Sequence, residues 1–446
     1  MTRAAPPSAR RFRELAQIFR HALAAVDAGD LVRRALRWEG GALEVAGAPV
    51  ASGQRLVVLA AGKAAAAMAA AVEAVAGDRV ASGLAVTKDG CGAALRQVAL
   101  RTAGHPVPDA RSEAAAREVL ALVEAAAPGD LLLVLLSGGA SSLLACPAQG
   151  LALEDLAEAT RLLLAAGADI EETNAVRKHL SALSGGWLAR RARPRRIEVL
   201  ALSDVPGDRL DVIGSGPFAA DPTTYADALA ALRRRGALDG LPERVRAHLQ
   251  AGLRGERGET LKPGDPDLAR VRHTLLATNR TAALAAGAAA ERAGLRTVTL
   301  DGVLSGEARD AAAALVARAH AARARAPVCL VAGGETTVTV RGTGLGGRSQ
   351  ELALAAAVDL DGGPPTALLA AGTDGNDGPT QAAGAYADER TLARARRAGL
   401  DARTALAAND SHPFFRAEGG LFVTGPTRTN VMDLALVRVD PADTGN

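Results

Sequence analysis

Apolar residues along the chain gather in short, almost unbroken runs that alternate with long Ala/Leu stretches bearing charge at helical spacing. Residues 55–60, 83–87, 131–136 and 197–202 are such runs, each followed closely by Gly, Ser or Asp. Short continuous runs predict parallel strands covered on both faces, with helices starting just after them. The fold class is therefore α/β, with a doubly wound, mostly parallel sheet in an amino-terminal domain over 1–240. A strand-poor, charge-dense stretch over 225–269 ends in a loop with two prolines, which predicts a helical connector at 241–270 and a hinge near it. Further runs at 273–277, 297–300, 328–332, 336–340 and 366–371 predict a second, smaller mixed-sheet α/β domain over 271–446. Thr and Val alternate in 336–340, as in a half-wet hairpin strand, and the last dozen residues read as a fraying tail.

Composition narrows the classes. At 446 residues the chain is about three times the usual domain length, consistent with two domains. Aromatic residues are scarce (Trp 2, Tyr 2, Phe 6), so the core must be built from Leu, Val and Ala. The 52 basic and 49 acidic side chains leave +3, and the arginines are interleaved with acids, which excludes a nucleic-acid-binding face. Lys63 and Glu73 interrupt the one long Ala-rich stretch, so no membrane span is expected. Three cysteines, odd in number and widely spaced, fit neither a zinc knuckle nor a disulfide framework and suggest a reducing, cytoplasmic setting. Arg3, Arg10, Arg11, Arg13 and Arg20 crowd the first twenty residues without a cleavage signature, which reads as an ordinary first helix.

Candidate chemistry sits at strand-to-helix turns. Ala61-Gly62-Lys63 places a flexible glycine and a cation where a helix begins, so N–H groups, helix dipole and ammonium can face one anion. Only Lys63, Lys88, Lys178 and Lys262 are lysines among the cations, so a lysine in this loop suggests that a compact charge is wanted there. The spacing is not a full Walker A, and a plain turn with a surface lysine is about as plausible for this stretch alone. Ser137-Gly138-Gly139-Ala140-Ser141-Ser142 can curl into a nest of N–H donors edged by hydroxyls, and it lacks the Gly-x-Ser-x-Gly of a hydrolase. Ser203-Asp204-Val205-Pro206-Gly207-Asp208 ends another strand, where Asp204 can accept a proton or hold a divalent cation; Asp208 also suits a turn. His105 and the group Asn174, Arg177, Lys178 and His179 show no metal spacing, so the two histidines read as satisfied loop or interface residues. In the second block Gly342, Gly344 and Gly347 nominally complete a dinucleotide fingerprint, but the strand before them is half wet and Asp359 and Asp361 come too soon after. Arg348 at a helix start offers instead a fork for phosphate or carboxylate.

In order, Ala61-Gly62-Lys63, His105-Pro106-Val107-Pro108-Asp109, Ser137-Gly138-Gly139, Ser203 to Asp208, Gly333-Gly334-Glu335-Thr336-Thr337, Gly346-Gly347-Arg348, Gly372-Thr373-Asp374-Gly375 and Thr424-Gly425-Pro426-Thr427 closely resemble the glycerate 2-kinase family, whose carboxy-terminal part is the MOFRL domain. The resemblance runs from about residue 60 to 433. It implies ATP-dependent, Mg²⁺-assisted phosphorylation of the 2-hydroxyl of D-glycerate in a cleft between the domains, with Lys63 and Arg348 converging on the phosphoryl group from opposite lobes. It also implies Lys63, Asp204 and Arg348 as catalytic residues and Asp204 and Asp208 as metal ligands. Gly62, Ser137, Gly138, Gly139, Ser141, Asn279, Gly334, Glu335, Gly346, Gly347 and Asp374 would line the cofactor site. Leu345, Ser349, Ser184 and Phe218 depart from the family pattern. The partners implied are a small acid and a nucleotide; a homodimer is compatible with the sequence. The competing classes are a nicotinamide-dependent hydroxypyruvate reductase, a label that members of this family often carry, and a non-catalytic nucleotide or organic-acid binding protein.

Overall fold

The computed structural model describes residues 7–441, so Arg3 and the final five residues of the expected tail lie outside the described residues. Within it the chain forms two compact units. One spans Ala28–Leu276; the other combines the first helix, Pro7–Ala25, with the chain from Ala277 onward.

The Ala28–Leu276 unit opens with a small antiparallel sheet of β1 (Leu36–Glu39), β2 (Ala42–Val45) and β3 (Ala48–Pro49). Its main sheet contains β4 (Leu56–Ala61), β5 (Val80–Lys88), β6 (Val98–Ala103), β7 (Leu131–Leu136), β8 (Arg196–Leu202) and β9 (Val271–Ala277), in the order β6-β5-β4-β7-β8-β9. The pairs from β6 through β8 are parallel. Every side chain of β4 and β7 is buried, as continuous Leu/Val runs demand when helices cover both faces. β6 escapes the pattern reading because Arg101 and Thr102 give it a wet edge.

Three sequence-based boundaries change here. The run at 273–277 was expected to open the second domain, but it forms β9 at the edge of the first sheet. The expected connector at 241–270 contains the helix Glu243–Leu253, whose Val245 and Leu249 pack with Tyr225, Leu229, Val176 and Leu180 in a helical core of this same unit. An amphipathic helix with such a stripe is stabilised by packing and is poorly suited to act as a free linker. The first helix, expected in the amino-terminal domain, packs in the other unit. Its Phe12 stacks near Tyr386, with ring centroids 5.0 Å apart, and Phe19 meets Phe422 at 5.4 Å. Arg11, nearly buried, donates to Glu389 at 2.7 Å.

The second unit's sheet consists of β10 (Arg296–Leu304), β11 (Val328–Gly334), β12 (Thr366–Gly372), β13 (Gly384–Asp388), β14 (Leu421–Phe422) and β15 (Asp433–Val439), ordered β10-β11-β15-β12-β13-β14. β10 and β11 are parallel and the remaining pairs antiparallel, a mixed sheet. The expected fraying tail is corrected by β15, which lies mid-sheet between β11 and β12, with Leu434, Ala435 and Leu436 fully buried. The expected hairpin strand at 336–340 is absent: Thr337 makes only an isolated bridge to Glu307, and Val340 is exposed.

Candidate active site

The main sheet of the Ala28–Leu276 unit reverses its winding between β4 and β7, the place where doubly wound sheets collect ligands beyond their carboxyl ends. Ala61 pairs with Leu136, so the two strands end level and deliver their turns side by side. The turns are bonded to each other. Lys63 N–H donates to the Gly138 carbonyl at 2.9 Å, Ser137 N–H to Ala61 at 3.0 Å, and Ala64 N–H to Ser137 Oγ at 3.0 Å. Gly62 has φ 124°, and a Cβ there would stand 2.2 Å from Ser137 Oγ, so only glycine permits this approach. Gly139, at φ 88°, lies under the His105 ring, with Lys63 Cγ beside it; an added Cβ would meet them at 2.8 and 3.5 Å. His105, expected to be a bland loop histidine, thus stands next to Lys63. Ser141 Oγ accepts from Ser215 Oγ at 2.9 Å, which ties this turn to the loop following β8.

Asp204 begins that loop and is partly buried. The short turn Pro206–Asp208 closes through Asp208 N–H to Val205 O at 3.0 Å, and both Gly207 and Asp208 have positive φ. The loop is anchored further along by a buried ion cluster. Lys178, 2 % exposed, reaches Asp211 at 3.0 Å and Asp221 at 3.3 Å. Burial tends to raise the Asp211 pKa, but Arg209 and Lys178 outweigh it and hold the carboxyl below its ordinary value.

The second unit builds its site around the helix Arg348–Leu360. Arg348 presents its fork to Asp433 (2.5 and 3.0 Å) and its third nitrogen to Glu335 at 2.6 Å. Burial opposes its charge, but the two carboxylates prevail and push its pKa further up. Asp377 is buried at the start of the same helix, accepting from Ser349 N–H at 3.0 Å, from Gln350 N–H at 2.8 Å and from Gln350 Nε2 at 2.9 Å. Burial and the charge of Asp433 push its pKa up to about 6 against those donors. Gly347 must be glycine, because a Cβ would fall 2.3 Å from the Asp377 carboxyl carbon, and Gly346 is pressed on Ser411 in the same way. Asn279 spends its amide on Val431 O at 2.8 Å and Asp433 O at 2.9 Å, behind β15. Gly334 has φ 146° and lies on the Leu304 carbonyl, and Asp374 caps its own loop by accepting from Asn376 N–H at 2.9 Å.

Of the expected residues, Gly62, Lys63, Ser137, Gly138 and Gly139 form one bonded cradle, and Glu335, Gly347 and Arg348 a second grouping in the other unit. Asp433 carried no sequence signal beyond being a single acid, and Asp377 none beyond lying in the Gly/Asp/Thr loop 372–380, a weak candidate for cleft lining; their partners lie 85 and 27–28 residues away in sequence. The nominal dinucleotide fingerprint fails on geometry. No strand leads into it among the described residues, and Gly342 and Gly344 are glycines because Ala408 and Asp410 press on them. Also among the described residues, no helix is long and apolar enough to cross a membrane, and all three cysteines are buried and unbridged.

Comparison with known proteins agrees with both halves. Residues 14–250 match the family described as a domain of unknown function, DUF4147, and residues 328–433 match the MOFRL family. A glycerate 2-kinase of Pyrococcus horikoshii is 42% identical over 86% of this chain and 87% of its own. A putative hydroxypyruvate reductase of Agrobacterium vitis is 45% identical with the same shares covered. The crystal structure of a glycerate kinase from Thermotoga maritima superimposes with a TM-score of 0.81 at 36% identity, over 96% of this chain and all of the other. The sheet order, the bonded pair of turns and these likenesses across both units agree: the chain belongs to the MOFRL-type glycerate kinase family.

Proposed function

We propose that the protein transfers the γ-phosphoryl group of ATP to the 2-hydroxyl of D-glycerate, giving 2-phosphoglycerate and ADP. The bonded turns of Lys63 and Ser137 to Gly139 support this reading, because they hold Lys63 and the Gly138-Gly139 turn side by side at the carboxyl ends of β4 and β7, at the winding reversal where doubly wound sheets collect ligands. Kinship to glycerate kinases supports the substrate.

In the proposed chemistry the glycerate 2-oxygen forms a bond to the γ-phosphorus as the bond to the β–γ bridging oxygen breaks. The hydroxyl proton passes to the Asp204 carboxylate, and ADP carries away the bonding pair. The transition state is loose and spreads charge over three oxygens, so fixed cations contribute most of the stabilisation. Lys63 and Arg348 are the cations assigned to it. Mg²⁺, when bound, would neutralise phosphate charge. It commonly takes one or two protein carboxylates and completes its shell with phosphate oxygens and water. The hard oxygens of Asp204, at the start of the loop, and of Asp208, which ends the turn Pro206–Asp208 four residues on, suit that habit, and among the described residues no group of three or more metal-ligating His, Cys, Asp or Glu side chains is present.

The test offers ATP, Mg²⁺ and D-glycerate with enolase as the reporter, since enolase consumes 2-phosphoglycerate directly and 3-phosphoglycerate only through a mutase. An enolase signal without mutase is expected. A signal that requires the mutase would overturn the position of transfer, and NADH oxidation with hydroxypyruvate but no ATP turnover would overturn the reaction.

A further inference from the structure

The helix Ile170–His179 carries five charged or titratable side chains, and four have partners. Glu171 pairs with Arg209, Glu172 with Arg234 and Arg235, Lys178 with Asp211 and Asp221, and His179 with Glu259. Arg177 is the exception: it is partly buried, and among the described residues its guanidinium has no hydrogen-bond or ion-pair partner. Burial alone sets its pKa, pushing it down, with no carboxylate to offset the loss of water. Two further polar groups fall on the same strip, three and four residues away, where helical side chains are neighbours. Asn174, 5 % exposed, makes no side-chain hydrogen bond among the described residues, and Thr173 Oγ1 is buried without a partner. Thr173 Oγ1, buried without a partner, carries a desolvation cost of order 1–3 kcal/mol unless something satisfies it, and the half-buried Arg177 guanidinium beside it has no counter-charge to offset its partial loss of water.

We propose that Arg177, with Asn174 and Thr173 beside it, binds the carboxylate of the three-carbon hydroxy-acid substrate. An arginine fork matches a carboxylate in two parallel hydrogen bonds, and the neighbouring amide and hydroxyl donate to the remaining lone pairs. The helix is fastened through Lys178–Asp211 to the loop that starts at Asp204, the group assigned to the 2-hydroxyl proton. In a 2-hydroxy acid that hydroxyl stands one carbon from the carboxylate, so the two functions belong on adjoining elements. Nucleotide phosphates are the other anions present, and the glycine-rich turns already serve them in the proposed reaction. The assignment rests on the kinase reading.

Steady-state kinetics of the full chain separate the two. Arg177→Gln should raise the KM for D-glycerate at least 100-fold while the KM for ATP stays within about twofold, and calorimetric titration with D-glycerate should show the same loss of affinity without turnover. Asn174→Asp, which sets a carboxylate beside the fork, should raise the glycerate KM at least tenfold, and it keeps the proposal testable if the first variant folds poorly. A rise confined to the ATP KM, or unchanged glycerate affinity in Asn174→Asp, would overturn the carboxylate assignment. A wild-type enzyme that ignores D-glycerate would instead remove the kinase reading, and this inference with it.

Discussion

Asp433 grips Arg348 through both arms of its guanidinium, at 2.5 and 3.0 Å, from the first residue of the central strand β15. A fork held by a buried carboxylate has little freedom left to lose when it meets a phosphoryl group, which is the advantage of preorganised charge. Asp433→Asn should therefore leave the fold intact while lowering kcat about 10–100-fold, with little change in the glycerate KM. A kcat equal to wild type, measured beside an unchanged melting curve, would assign Asp433 to structure alone.

The two proposed cations are probed differently. Lys63→Ala should lower kcat by about 10²–10³, the usual effect of removing one charge stabiliser. Arg348→Lys keeps the charge but loses the fork and should fail almost as badly. Full activity in Arg348→Lys would show that its planar geometry is irrelevant.

Gly62→Ala tests the bonded turns. Its φ of 124° disfavours any side chain, and the new methyl would collide with Ser137 Oγ. A loss of about 2–4 kcal/mol in urea unfolding is expected from the strain and the broken contact together. A loss below about 0.5 kcal/mol, within the range of ordinary surface substitutions, would mean that the turns are not in close contact.

Lys178→Met strips the fully buried Asp221 of its Lys178 partner, while Asp211 keeps Arg209, and removing one partner of a buried ion pair typically costs about 3–5 kcal/mol. The loop after Asp204 would lose its buried tie to the helix Ile170–His179, leaving the exposed Arg209–Glu171 pair, so kcat should fall along with stability. Stability equal to wild type in chemical denaturation would contradict the buried cluster.

Asp377 gives a pH signature. Its folded-state pKa of about 6 lies above the ordinary 3.8, so the native state holds a proton that the unfolded chain has released between those values. Its contribution to stability is therefore greatest below about pH 4 and declines as pH rises through 6, by an amount on the order of 3 kcal/mol. Asp377→Asn removes this titration, so the variant should gain on wild type as unfolding is measured from pH 4 to pH 6.5. A constant difference over that interval would show that the carboxyl titrates normally.

Legibility followed the range of the signal. The runs at 131–136 and 197–202 reappear as β7 and β8 almost residue for residue, because a strand buried on both faces writes its identity into consecutive apolar positions. β15 is just as buried, yet the expected tail, the last dozen residues, began inside it at 435, with Arg438 breaking the apolar run. Lys63, Asp204 and Arg348 stood out because each follows a strand or a glycine turn. Asp433 and Asp377 did not, since an acid's role is set by the partner it meets.

The α/β class, the alternation that produces two sheets, the positions of the glycine turns and the kinship those turns disclose are all written in the chain. These are local patterns, specified by residues within a few positions of each other. Only long-range packing makes β9 join the first sheet, seats the first helix in the second unit, puts β15 in a mid-sheet slot, and neutralises Lys178 but not Arg177. Each of those outcomes depends on which distant surfaces bury one another, and burial is settled only when the whole chain has folded.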